Sequence, residues 1–340
     1  MTTVLVSGAS GFIALHTVQE LIKQGYTVVG SVRSSEKGEY VKKASGNPEK
    51  FSYEIVKDIA EEGAFDEFVK KHPEATVFLH TASPFHFNVT DVEKDLLQPA
   101  IRGTKSALQS IKDYGSNIKR VVVTSSYAAI ASAEMDLKAG KEYDETSWND
   151  ITWEKALENP LLGYYGSKTF AERAAWEFVK EQNPNFVLST VNPAYVFGPQ
   201  PTDDFNSEKL NTSSEIINAA MKLLSPSADV YPVNASAVDV RDVAKAHLVA
   251  FEKDEAKNER LVLITGLFTQ QDILDVLHKK FPKQAENVPV GTPGSQKEEI
   301  KTRCTPVNDK TRKILDFPLI SIEQTIADSA QQIYKVENML

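Results

Sequence analysis

Residues 2–14 read TTVLVSGASGFIA, and no other stretch constrains the chain so strongly. Val4 to Val6 form a short apolar run, the mark of a strand buried on both faces of a parallel sheet. Gly8 and Gly11 follow at once. Leu15, Val18, Leu21 and Ile22 then recur at helical spacing, with Gly25 as the stop. A strand, a glycine turn and a helix start in that order make a cradle for phosphate. Backbone N–H groups and the positive end of the helix dipole face the anion, and the missing side chains let it come close. The cradle residues are Gly8, Ser10, Gly11, Phe12 and Ile13. Ala14 stands where a third glycine is common, and its methyl group still permits close helix–strand packing. The bland alternative is an ordinary glycine turn.

Such a turn needs a sheet behind it, and the sequence supplies one. Strand-like runs recur at Thr27–Val32, Phe51–Val56, Thr76–His80, Val121–Thr124, Phe186–Val191 and Leu261–Ile264. Helical spacing lies between them, for example Leu96, Leu97, Ala100, Ile101, Thr104, Leu108 and Ile111. This alternation predicts an α/β fold, a doubly wound parallel sheet with helices on both faces. Helices are also expected over Ser213–Leu224, from Asp239 to Phe251, over Thr269–Phe281 and over Ser321–Lys335, where Ser321 and Gln324 form a capping-box pattern. Pro282–Ser295 reads as a surface connection. At 340 residues the chain accommodates a large domain and a smaller one. Residues 1–195 with 232–265 are assigned to the dinucleotide-binding domain, and 196–231 with 266–340 to a smaller substrate-binding lobe.

Ligands of such sheets sit outside the carboxyl ends of the strands, so the residues after each strand matter most. After the second strand, Val32 occupies the place where an NAD site carries an acid, and Arg33 and Lys37 follow. Two cations and no carboxylate suit a 2′-phosphate, which favours NADPH; solvated surface cations are the alternative. After the third strand, Asp58 and Ile59 lie near the expected adenine, although Asp58 equally suits a turn. After the fourth, Thr81, Ala82 and Ser83 are small enough for a ribose to approach, and Phe85 and Phe87 could wall a substrate pocket. His80 and His86 have no third ligand nearby, so no metal site is expected.

After the fifth strand come Thr124, Ser125, Ser126 and Tyr127, hydroxyls where a substrate would lie. Tyr164 and Lys168 stand at i and i+4, neighbours on one helix face. A free phenol holds its proton near neutrality, with a pKa of about 10. An adjacent ammonium stabilises the phenolate and brings the phenol towards the range where general acid catalysis is efficient. Alone, this spacing is a common surface pair; with the cradle, the cations and the serines it becomes a site.

Charge and composition exclude several other classes. The net charge of −9, from 38 Lys+Arg and 47 Asp+Glu, argues against nucleic acid or an anionic membrane as partner. The single cysteine, Cys304, fits a reducing compartment and is expected to be inert. No membrane span or basic leader is evident, so a cytoplasmic protein is expected.

Together these residues resemble the extended short-chain dehydrogenase/reductase family. The resemblance rests on Gly8-x-x-Gly11-x-x-Ala14, Thr124-Ser125-Ser126 and Tyr164-x-x-x-Lys168. Strings running from Val6 to Phe251, among them HTASPF, GSKTFAERAAWEF and VRDVAKAHLVAF, are similar to the family's yeast NADPH-dependent reductases of methylglyoxal and 3-methylbutanal. The resemblance implies a Ser126–Tyr164–Lys168 triad, Arg33 and Lys37 on the 2′-phosphate, Lys168 on the ribose, and Pro193 and Val196 against the nicotinamide. Many relatives carry Asn in the helix before Gly103, where Ala100 stands here, so a proton-relay role is left unassigned. Phe85, Phe87, Tyr127, Ala131, Leu161 and Tyr195 are the expected substrate wall beside Ser126. Their apolar character favours small or aryl aldehydes and ketones over nucleotide sugars. Relatives pair through the helices holding Gly103 and Tyr164, which makes a homodimer possible. The competing readings are a dihydroflavonol- or cinnamoyl-type reductase, a nucleotide-sugar epimerase, and a regulator that senses NADPH without turnover.

Overall fold

In the computed structural model the short apolar runs become strands of a parallel sheet; residues 2–83, 89–223, 225 and 233–340 are described. The strands of the first half are β1 (Thr3–Ser7), β2 (Thr27–Val32), β3 (Phe51–Ile55), β4 (Ala75–His80), β5 (Arg120–Thr124) and β6 (Glu142–Tyr143). Those of the second half are β7 (Val187–Pro193), β8 (Tyr195–Phe197), β9 (Asn234–Asp239), β10 (Arg260–Leu263), β11 (Gly266–Thr269) and β12 (Thr305–Pro306). Seven of them form one sheet in the order β10-β7-β5-β4-β1-β2-β3, with every pairing parallel. Strand order reverses beside β1, between β2 and β4. There the crossover helices diverge to opposite faces and leave a crevice for a ligand.

Burial explains why these runs are strands. All five residues of β1 are buried, with Val4 and Val6 on one face of the sheet and Leu5 on the other. Leu15, Val18 and Leu21 of the Phe12–Lys23 helix and Val240 and Val243 of the Val240–Glu252 helix cover the first face. Leu108 and Ile111 of the Gln98–Tyr114 helix and Phe178 of the Pro160–Gln182 helix cover the second. Each fully buried Val or Leu contributes roughly 1.5–3 kcal/mol, so both layers are held by many such contacts.

A second, three-stranded sheet was not foreseen in the sequence. In it β9 pairs parallel with β8 and antiparallel with β11. β8 is only three residues long and lies between Pro193 and Gly198, so it reads locally as a loop. The sheet shares a core with the Thr212–Met221, Gln270–Lys280 and Ile322–Val336 helices, built on Phe197, Ile217, Phe268, Leu274, Ile326 and Tyr334. Within the 232–265 stretch assigned to the dinucleotide domain, β9 thus joins the small sheet, while β10 completes the large one. The Pro282–Ser295 connection buries Ala285 and Val288 instead of lying wholly on the surface. Ser321 caps its helix by accepting from the Gln324 amide at 3.2 Å. The Gln324 side chain turns to Asp328, so the reciprocal half of the capping box does not form. Among the described residues, no helix is long and apolar enough to cross a membrane.

Candidate active site

The glycine turn sits at the reversal in strand order. Gly8 has φ +65°, and a Cβ there would lie 2.9 Å from the Ala82 Cα, so only glycine lets the turn rest against the segment after β4. The Gly8 amide donates to Ser31 Oγ at 3.1 Å and the Ala9 amide to the Ser31 carbonyl at 3.0 Å, which ties the turn to the end of β2. Ser7 Oγ accepts from the Thr81 and Ala82 amides, both at 3.1 Å, and its own proton therefore goes to His80 Nδ1 at 3.0 Å. Burial holds His80 at a pKa of about 4, so it is neutral and suited to accept that proton. His80 is thus a structural core residue.

Two linked cavities open from this turn. One, of about 230 Å³, is lined by Gly8, Ser10, Gly11, Arg33, Lys37, Ile59, Thr81, Ala82 and Ser83. Val32 is a buried apolar part of the same lining, so Arg33 and Lys37 are the charged groups of its rim. Asp58 is not part of the lining. It is exposed, and its Oδ1 accepts from the Ala60 amide at 2.9 Å, the turn-forming role. The second cavity, of about 570 Å³, shares Gly11, Thr81 and Ser83 and continues past Phe12 and Ile13 to Ser126, Tyr164, Lys168, Pro193 and Val196. A Cβ on Gly11 would meet the Gly8 carbonyl oxygen at 3.5 Å, ordinary contact. An elongated cleft with a glycine cradle at its centre and two cations at one end fits NADPH.

Ser126 and Tyr164 meet in the cleft, with Lys168 one helical turn from Tyr164. Ser126 Oγ lies 3.3 Å from the Tyr164 hydroxyl. The same Oγ accepts from the Ala128 amide at 3.1 Å, which leaves the Ser126 proton free to point into the cleft. Lys168 Nζ is 5.9 Å from the centre of the Tyr164 ring and donates to Ser83 Oγ at 3.0 Å. Burial governs both titrations. It lowers Lys168 to about 8 and raises Tyr164, against which the Ser126 hydrogen bond acts in the opposite direction. The phenol is therefore held above its ordinary pKa in this site, where the sequence led to the expectation that a nearby ammonium would lower it.

Beyond Ser126 and Tyr164 lies a third cavity of about 130 Å³. Tyr127, Leu161 and Tyr195 line it as expected. Ala131 does not; it is buried in a cluster with Tyr127, Ile130, Met135, Val262 and Ile264. Phe85, Phe87 and His86 fall outside the described residues. Sequence reasoning missed Asp136, Tyr165, Thr212, Ser213, Ala235 and Ser236 in this wall. Several of these come from the small lobe and reach the site only through tertiary folding. Asp136 is held by Arg303 Nη2 at 2.9 Å and by the Cys304 thiol at 3.3 Å. Burial pushes Cys304 up to about 11, which keeps it an unreactive thiol.

Residues 4–264 match the NAD dependent epimerase/dehydratase family. The chain belongs to that family. Within it, the chain is 54% identical over 336 residues to the Candida albicans protein GRP2, with 98% of each chain covered. It is 46% identical over 342 residues to the NADPH-dependent methylglyoxal reductase GRE2 of Saccharomyces cerevisiae, covering 99% of this chain and 100% of that one. The solved structure of yeast methylglyoxal/isovaleraldehyde reductase Gre2 complexed with NADPH superposes on all of this epimerase/dehydratase chain with a TM-score of 0.96.

Proposed function

We propose that this protein is an NADPH-dependent carbonyl reductase that converts small aldehydes and ketones, of the methylglyoxal and 3-methylbutanal type, to alcohols. The observation that carries the reading is the 3.3 Å approach of Ser126 to Tyr164, where the cofactor-shaped cleft meets a small, mostly apolar cavity. The similar yeast reductases, one of them complexed with NADPH, support both the cofactor and the substrate class.

Ser126 and Tyr164 donate hydrogen bonds to the substrate carbonyl oxygen and stabilise the negative charge that develops there. When bound, NADPH supplies the hydride that the carbonyl carbon receives. Tyr164 transfers its proton to the oxygen. Because burial raises its pKa, the phenol enters the reaction protonated, the form that reduction requires. Lys168 stabilises the phenolate left behind. Arg33 and Lys37 hold the 2′-phosphate, Thr81 to Ser83 flank the ribose, and Pro193 and Val196 back the nicotinamide. Tyr127, Leu161 and Tyr195 enclose the substrate's apolar end.

The same proposal places the protein in the cytoplasm, in keeping with a lone buried cysteine, and allows pairing of two copies through the helices carrying Gly103 and Tyr164. It assigns cofactor binding to the large sheet and substrate binding to the small lobe. The decisive experiment compares wild type with Tyr164→Phe across a carbonyl panel, with NADPH and NADH side by side. A fall in kcat of about 10²–10⁴-fold with NADPH binding retained is expected. Turnover equal to wild type would overturn the assignment.

A further inference from the structure

Behind Ser126 lies a buried polar cluster that the proposed chemistry does not use. Glu172 stands on the same helix as Tyr164 and Lys168, eight and four residues further on, so the three share one face. Its side chain is fully buried, and four donors converge on its two oxygens. Oε2 accepts from Ser125 Oγ at 2.5 Å and from Asn192 Nδ2 at 2.6 Å. Oε1 accepts from Arg260 Nε at 2.6 Å and Trp176 Nε1 at 3.1 Å, while Thr190 Oγ1, 3.3 Å away, gives its proton to Asn192 Oδ1 at 2.7 Å. These contacts lead back to Ser126 by two routes. One runs through Ser125, its chain neighbour. The other runs through Asn192, whose Nδ2 also donates to the Ser126 carbonyl at 3.2 Å. Arg260 braces the far side of the same loop by donating to the Ala129 carbonyl at 3.2 Å and to the Ser147 carbonyl.

We propose that Glu172 is a positioning residue, which fixes the Ser126 hydroxyl against Tyr164 through Ser125 and Asn192. The inference rests on the reading of Ser126 as a donor to the substrate carbonyl. A carboxylate suits this place because it only accepts, with about four lone-pair positions for these donors. An amide in its stead turns an NH₂ group towards donors whichever way it faces. The least disruptive accommodation is rotation of Asn192 to present its carbonyl oxygen. That rotation breaks the bond from Thr190 Oγ1 to Asn192 Oδ1, withdraws the amide from the Ser126 carbonyl and frees the loop.

The test is a double-mutant cycle on the full-length protein, with steady-state kinetics for NADPH and an aliphatic aldehyde. Glu172→Gln is expected to lower kcat by about tenfold to a hundredfold, the scale of a small misplacement of a reacting group. KM for NADPH should stay unchanged. In a Ser126→Ala background the same substitution should change kcat less than about twofold, because its effect passes through the missing hydroxyl. Undiminished kcat in Glu172→Gln, or a loss that multiplies in full with that of Ser126→Ala, overturns the proposal. Should Glu172→Gln fail to fold, Ser125→Ala removes one of the two routes. A severalfold loss of kcat that disappears in the Ser126→Ala background supports the proposal, and no loss overturns it. Wild-type turnover in Ser126→Ala alone would remove the reading beneath the proposal, a result distinct from additivity.

Discussion

Replacing Lys168 with Met should abolish useful turnover and yet make the protein more stable at neutral pH. The lysine is pushed from 10.5 to about 8 by burial, so at pH 7 the folded protein holds an ammonium that its surroundings disfavour. At about 1.4 kcal/mol for each pH unit, the lowering to about 8 corresponds to about 3 kcal/mol. The amine opens on the cleft, where water reaches it, and it donates to Ser83 Oγ. Both effects reduce the net gain to about 1–2 kcal/mol. Between pH 8 and 10.5 the unfolded chain carries the proton and the folded one has released it, so wild-type stability climbs with pH across that window. Below it both states are protonated and the penalty is constant. Thermal midpoints from circular dichroism should therefore place Lys168→Met above wild type near pH 7, with the difference closing as pH approaches 10.5. A variant less stable than wild type near pH 7, or a difference indifferent to pH, would refute burial as the cause of the depressed pKa.

Deprotonation of Lys168 should also appear in kinetics. kcat/KM for aldehyde reduction is expected to fall as pH rises through about 8, and a flat profile to pH 10 would contradict a role for the ammonium. Arg33→Asp with Lys37→Ala should lower kcat/KM for NADPH by about a hundredfold and raise that for NADH, read as the ratio of the two. Gly8→Ala forces a side chain into φ +65° and to within 2.9 Å of the Ala82 Cα. It should cost more than about 1 kcal/mol of stability and weaken NADPH binding, measured by thermal midpoint and by cofactor fluorescence titration.

Local physics made the large sheet legible. β1, β2, β4, β5, β7 and β10 are short apolar runs flanked by breakers, because each is covered by helices on both faces. The glycine turn, the strand-end serines and the Tyr164–Lys168 spacing were legible for the same reason, since each is a local pattern with a fixed geometric meaning. What escaped depends on distant segments meeting. β8 is three residues long and β11 four, and β9 pairs with both only across intervening stretches of chain. Thr212 and Ser236 reach the cavity beside Ser126 only once the small lobe folds over it. The rise in the Tyr164 pKa reflects desolvation, which the i and i+4 spacing does not encode. Nothing in the sequence singles out Glu172, and only the arrival of Arg260 and Asn192 shows why it is buried.

Glu172 and Arg260 are separated by 88 residues of chain. At roughly 5–20 residues per second of synthesis, the cation leaves the ribosome roughly 4–18 s after its anion. Throughout that interval the nascent polypeptide contains Ser126, Tyr164, Lys168 and Glu172, but not the Arg260 guanidinium that neutralises the carboxylate. A fragment ending short of β10 should consequently be inert towards aldehydes, with activity appearing only once Arg260 has been made.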